Sequence, residues 1–252
     1  MFAAGHSAKQ LLRAIFITMN GGETCVVCGT RTLFYPVCKS CFKERFFVQT
    51  LNLEGRCKIC GRELLSADEI CLQCREKSVL KHTDFVLPVF SYRLWNKELM
   101  FLWKSVGIRT LSDLFAKIMS QVLTRIQAEV LVPVPPRPGK IKKNGWDQIE
   151  ELASILQYRY GFKVARILER RSEVQQKKLD RENRLKTIGK SYYLKDDGQI
   201  SRVLKDFGGN IPRKVCIIDD VTTTGATIES CAALLKGFGI QEVCAVTLFI
   251  VD

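Results

Sequence analysis

Eight of the 11 cysteines in this 252-residue chain fall into four C-x-x-C pairs: Cys25/Cys28, Cys38/Cys41, Cys57/Cys60 and Cys71/Cys74. Each pair presents two thiolates on one tight turn, and two such turns complete a tetrahedron of sulfur around zinc. Nine residues separate the first two pairs and ten separate the last two, and glycine follows in both "CVVCG" and "CKICG". The pattern reads as a duplicated unit that holds two structural zinc ions, with no ligand position left open for catalysis. A disulfide scaffold is the competing reading and belongs to secreted chains. The N-terminal "AKQLLRAIFITM" is not followed by the small-residue cleavage site of a signal peptide and reads instead as a short amphipathic helix. Sequential ligation and an interleaved cross-brace both satisfy the spacing. Cys216, Cys231 and Cys244 lie in apolar strand or helix patterns and are expected in the core.

Composition changes near residue 84, which divides the chain into an N-terminal helix and double zinc module (1–84) and a second domain (85–252). In the second domain, strand-like runs ("FVLPVFSY", "VLVPVP", "KVARIL", "KVCIIDD", "EVCAVTLFIV") alternate with helical patterns such as "LSDLFAKIMSQVLTRIQ" and "DQIEELASILQYRYG". Strands separated by helices of this length predict an α/β fold, a mainly parallel sheet flanked by helices. No apolar run approaches the roughly 20 residues a bilayer requires, so the expectation is a cytoplasmic chain without a membrane span.

The stretch "VCIIDDVTTTGATIESCAALL" carries the chemistry. An apolar β-branched run ends in Asp219 and Asp220, and Thr222, Thr223, Thr224, Gly225, Ala226 and Thr227 lead into a helix. Unpaired N–H groups at a helix start, the helix dipole and threonine hydroxyls make a pocket for a phosphate monoester. Two carboxylates carry the wrong sign for phosphate and suit sugar hydroxyls or a metal. A helix cap with solvent-facing acids accounts for a single Thr or Asp, but not for the whole group. A nucleotide P-loop is excluded, because no G-K-[ST] follows the glycine.

The formal net charge is +13, and residues 137–186 alone carry 14 basic and 7 acidic side chains, more than half of that surplus. An anionic partner is therefore expected. The loop after "VPVP" is rigid at its proline-rich base and cationic at its tip. The span 163–186 reads in three ways: a lid over the site, a solvated charged helix, or a surface that tracks single-stranded DNA. In the last case Lys177, Lys178, Arg181 and Arg184 would contact phosphates, and Trp146 or Tyr158 would stack on bases.

"CIIDDVTTTGATI" resembles the phosphoribosyl-pyrophosphate (PRPP) motif of type I phosphoribosyltransferases. Together with the cysteine pairs it resembles the ComF family of competence-associated proteins over most of the chain. "YRLWNKELMFLWK" is similar to that family's tyrosine, helix and lysine segment, with Tyr92 and Lys104 matching. "VPVPPRPGKIKKNGWDQIEELA" and "ERRSEVQQKKLDRENRLKTI" are similar to two further family segments. The family's R-G-F-N-Q stands here as Asn144, Gly145, Trp146, Asp147 and Gln148. Glu173 and Thr187 also depart from the family, whereas Gln176 and Arg184 agree with it.

The resemblance implies a type I phosphoribosyltransferase-like fold and PRPP binding with Mg²⁺. Asp219 and Asp220 would hold the ribose hydroxyls, and the segment Thr222–Thr227 the 5′-phosphate. Lys104, Arg137, Lys140, Lys142 and Lys143 would lie near the pyrophosphate. It further implies either phosphoribosyl transfer to an acceptor or a non-catalytic role in binding single-stranded DNA with the DNA-uptake machinery.

Overall fold

The computed structural model describes residues 22–32, 35–44, 55–64, 68–92, 95–171 and 191–251. The N-terminal amphipathic segment and the stretch 172–190, with Lys177, Lys178, Arg181 and Arg184, lie outside the described residues.

The duplication expected from the cysteine spacing is visible in the backbone. In the first unit Cys25 N donates to Thr30 O, Gly29 N to Cys25 O, and Val26 N to Pro36 O. In the second, Cys57 N donates to Arg62 O, Gly61 N to Cys57 O, and Lys58 N to Glu69 O. Gly29 and Gly61 both take positive φ, 73° and 70°, which allows each knuckle to turn tightly. Strands β1 (Glu23–Thr24) and β2 (Arg31–Thr32) pair in the first unit. A short helix carries the last cysteine of each unit: α1 (Lys39–Phe42) begins after Cys38 and contains Cys41, and α2 (Leu72–Lys77) begins after Cys71 and contains Cys74.

The α/β fold expected from the alternating pattern is present. The sheet is built from β3 (Phe85–Ser91), β4 (Val130–Pro133), β5 (Lys163–Val164), β8 (Lys214–Thr222) and β9 (Glu242–Ile250). The strands run in the order β3-β9-β8-β4-β5, all pairings parallel. "KVARIL" contributes less to the sheet than its pattern suggests. Only β5 joins it, and the chain then forms β6 (Leu168–Arg170), which pairs antiparallel with β7 (Tyr192–Leu194) as a separate two-stranded ribbon.

The apolar strand runs are explained by cover on both faces. Successive side chains of β8 alternate: Cys216 and Ile218 enter one core, Val215 and Ile217 the other. The first core is closed by α3 (Trp95–Phe101), α4 (Thr110–Arg125) and α6 (Gln148–Tyr160). Trp103 and Phe115 are fully buried there with ring centroids 4.8 Å apart, and Trp103 Nε1 donates to Ser112 Oγ, 2.8 Å. The second core is closed by α7 (Asp197–Lys205) and α8 (Ala226–Gly237). Cys216, Cys231 and Cys244 are buried, as their patterns require.

The connection from β4 runs through α5 (Lys140–Asn144) and α6 to β5 on one side. The connection from β8 runs through α8 to β9 on the other. The loops therefore part between β4 and β8, and parallel sheets open a binding crevice beyond the strand ends at such a point.

Candidate functional site

A cleft of about 930 Å³ opens at that switch point. The loop Val134–Lys140, the start of α6, the far end of β8, the turn after it, and Lys104 from the segment following α3 line it. Of the residues expected to meet PRPP it brings together Asp219 and Asp220, Thr223 and Thr227, and Lys104, Arg137, Lys140 and Lys143, whereas Thr222, Thr224, Gly225 and Ala226 lie outside its lining. Lys142 is exposed on α5, outside this lining.

The acids do not terminate the strand, as the apolar pattern suggested. β8 continues through Val221 and Thr222, because β9 is long enough to pair with it as far as Ile250. Strand alternation therefore points the two carboxylates to opposite faces. Asp220 turns toward α6 and the segment after α3. Its Oδ2 accepts from Lys104 Nζ at 2.7 Å and from Gln148 Nε2 at 2.6 Å. Lys104 reaches this point because α3 widens into a π-helical turn, Leu102–Val106, closed by Gly107 at φ 81°. Such turns shift the side chains that follow relative to the helix before them.

The network extends further. Gln148 Oε1 accepts from Lys140 Nζ, which also donates to Asp147 Oδ2 at 2.6 Å. Asp147 in turn caps α6, its Oδ1 accepting from Ile149 N and Glu150 N, both at 3.0 Å. Asp serves this position as well as Asn, so the acid that stands where the ComF pattern has Asn keeps the cap. It also neutralises one of the expected pyrophosphate lysines. Trp146, expected as a base-stacking residue, is half-buried against the first core, with the Arg109 guanidinium 5.6 Å from its ring centroid. Tyr92 packs edge-on to Phe249, 6.2 Å between centroids, rather than in the cleft lining.

Asp219 occupies the other face and is buried. Burial, and then the negative charge of Asp220 beside it, raise its pKa to about 8. Between the ordinary carboxylate value and about 8, unfolding releases a proton, so this group's contribution to stability falls as pH rises. Asp219→Asn is expected to gain on the wild type from pH 5 to pH 8 by on the order of 1 kcal/mol per pH unit. Urea midpoints at the two pH values measure it. Parallel pH dependences would mean that Asp219 is ionised in the folded chain.

The turn after β8 separates the threonines by role. Thr222 is buried inside the strand and its Oγ1 donates to Thr247 Oγ1, 3.0 Å. Thr223 and Thr224 are exposed, and Thr224 Oγ1 accepts from Ala226 N at 3.3 Å. Gly225 takes φ 82° at the N-cap of α8, a conformation that other residues rarely adopt. If this turn receives a phosphate, Thr223→Val is expected to weaken it by about tenfold, the scale of one hydrogen bond to a charged group. Thr222→Val should leave it unchanged and instead lower stability by about 1 kcal/mol. Titration and melting of the two variants separate these outcomes.

Two lining residues escaped sequence reasoning. Arg170 at the end of β6 and Tyr192 at the start of β7 pair across the ribbon, with the guanidinium 5.1 Å from the ring centroid. They close the Asp219 side of the cleft and bring in a second arginine. Arg170 was submerged in a generally basic span, and Tyr192 lies some twenty residues away. Only the antiparallel pairing joins them.

The cysteines form two sequential groups, Cys25–Cys28–Cys38–Cys41 and Cys57–Cys60–Cys71–Cys74, with all sulfurs of a group within 4.8 Å of one another. Cys28 and Cys38 Sγ are 3.7 Å apart, as are Cys60 and Cys71 Sγ. A sulfur tetrahedron with Zn–S bonds of about 2.3 Å has edges of roughly 3.8 Å. Cys38 N donates to Cys25 Sγ and Cys71 N to Cys57 Sγ, bonds that favour thiolate. Both groups could hold zinc, and the interleaved arrangement is not the one adopted.

No family model matches the chain. The chain is 28% identical over 192 residues to "Competence protein ComFC" of Streptococcus pneumoniae (strain ATCC BAA-255 / R6), across 75% of this chain and 78% of that protein. That similarity supports a ComF-family competence protein. It agrees with the resemblance carried by the acid pair, the threonine turn and the cysteine pairs. No helix among the described residues is long and apolar enough to cross a membrane.

Proposed function

We propose that this ComF-like chain binds PRPP in the cleft between β4 and β8 with a competence-related role, and that two zinc ions stabilise its N-terminal units. The observation that carries the reading is the convergence of an acid pair, Thr223 and Thr227 at a helix start and several cations on one switch-point cleft. The cleft volume falls within the roughly 300–1,000 Å³ of small-molecule sites. The name of the S. pneumoniae relative supports the link to competence.

In this reading Asp219 and Asp220 accept from the ribose hydroxyls, with Lys104 and Gln148 fixing the orientation of Asp220. Thr223, Thr224, Thr227 and the first N–H groups of α8 receive the 5′-phosphate. Arg137, Lys143 and Lys104 face the pyrophosphate, and Lys140 joins them if it exchanges Asp147 for the ligand. Mg²⁺, when bound with the ligand, would neutralise pyrophosphate charge. Phosphoribosyl transfer would break the bond from the anomeric carbon to pyrophosphate and form one to an acceptor, while these fixed cations stabilise the leaving group. Pyrophosphate release from PRPP, with and without candidate acceptors, tests transfer. Binding without release under all conditions would leave a ligand-binding protein and refute transfer.

A second reading, binding of single-stranded DNA, is favoured by the exposed Ile141, Lys142 and Lys143 of α5 at the cleft's edge. Replacing both lysines with alanine is expected to flatten the slope of log affinity against log salt by about 1.4, from about 0.7 per phosphate contact. An unchanged slope would remove α5 from any DNA surface.

A further inference from the structure

The second cysteine group is joined to the turn that follows β8. Its first knuckle grips the edge of the sheet, with Val86 N donating to Ile59 O at 2.8 Å and Arg56 Nη1 to Pro88 O at 2.7 Å. The chain leaving Cys74 then passes behind the turn. Cys60, Arg62, Cys74 and Leu80 face Thr222–Gly225 across a void of only about 30 Å³, little more than one water. A Cβ on Gly225 would lie 3.0 Å from Leu80 Cδ2, so Leu80 packs directly against the glycine at the start of α8.

The next residues clamp the helix itself. Glu229, in the first turn of α8, accepts from His82 N at 2.8 Å and Thr83 Oγ1 at 3.0 Å, and lies 2.6 Å from His82 Nδ1. Asp84 secures the end of this strap (residues 75–84), accepting from Val243 N at 2.7 Å and Lys236 Nζ at 3.1 Å. The first cysteine group docks elsewhere. Cys25, Val37 and Cys41 join the core beside α4, whose Lys117 lies 5.6 and 4.8 Å from the ring centroids of Tyr35 and Phe42. The two units are duplicates in backbone but not in what they support.

We propose that Leu80, His82 and Thr83 are positioning residues for the turn Thr223–Thr227, and that metal binding at the second cysteine group sets, through them, the turn's affinity for a phosphate ester. The inference rests on the reading of that turn as the phosphate site. N–H groups and hydroxyls bind an anion well only when already convergent, and holding them so removes an ordering cost from binding. Gly225 supplies the conformation the turn needs but no rigidity of its own. The strap would supply it, anchored at one end by the second cysteine group, whose four sulfurs would hold the metal, and at the other by β9.

The full chain tests this, with ribose 5-phosphate, PRPP and inorganic pyrophosphate as separate Mg²⁺-containing probes, at a temperature where every variant is folded by circular dichroism. Leu80→Ala and Cys74→Ser are expected to weaken ribose 5-phosphate and PRPP by about tenfold, equivalent to about 1.4 kcal/mol, and to speed amide exchange across 223–229. Pyrophosphate affinity should stay constant, and Leu80→Met should restore the phosphate ligands. Cys28→Ser should lose one zinc ion and leave all three affinities unchanged. A uniform loss across the three probes, or unaltered ribose 5-phosphate affinity with unaltered exchange, would overturn the proposal. A wild type that binds none of the probes would refute the phosphate reading and the affinity half with it. Exchange across 223–229 would then decide the strap separately, and an unchanged rate in Leu80→Ala would overturn it.

Discussion

Protein purified without added metal is expected to carry two zinc ions per chain, and Cys41→Ser to carry one, with a loss of about 3–5 kcal/mol in stability. Two features set the size of the effect. Binding energy at a structural zinc site is folding energy, on the order of 10 kcal/mol for a complete four-ligand set. Cys41 also belongs to the main core rather than to an isolated knuckle, along with Cys25 and Val37. Losing the metal therefore loosens packing against α4 as well as the turn that held it. Metal analysis and urea unfolding of wild type and variant provide the check. Fewer than one zinc ion per wild-type chain, with rapidly reacting thiols, would refute the assignment.

Asp220→Asn is expected to weaken PRPP by about 100-fold, on the order of 3 kcal/mol, the scale of two hydrogen bonds to a charged acceptor. The substitution removes the charge that Lys104 and Gln148 hold in place. It leaves a neutral amide whose one oxygen can still accept from Lys104 and Gln148, so that an NH2 group replaces the oxygen that would accept from the ribose. Zinc content should not change, since neither cysteine group contacts Asp220. Gln148→Leu should show part of the loss without altering any charge, because it unfastens both Asp220 and Lys140.

Much of this is legible in the sequence. Apolar runs alternating with helical patterns placed β3, β4, β8 and β9, because strands covered on both faces are apolar at nearly every position. The acid pair and threonine turn stand out because they break such an apolar run. The cysteine spacing gave two four-sulfur groups but not their pairing, which depends on how two knuckles approach in space. Three features of the cleft were hidden for similar reasons. Thr222 belongs to the strand because β9 extends far enough to pair with it. Asp147 looks like a defect in a motif until its side chain is seen capping α6. Arg170 and Tyr192 meet only through a ribbon that joins distant residues. The strap was hidden more deeply, since Leu80 and Gly225 share no pattern at all.

Calorimetric titration of PRPP into the zinc-loaded chain, with and without Mg²⁺, tests the central claim most directly. The account predicts one site per chain, tight binding only with Mg²⁺, and a large loss in Asp220→Asn. Absence of binding at millimolar PRPP with Mg²⁺ present, or equal affinity in wild type and Asp220→Asn, would contradict it.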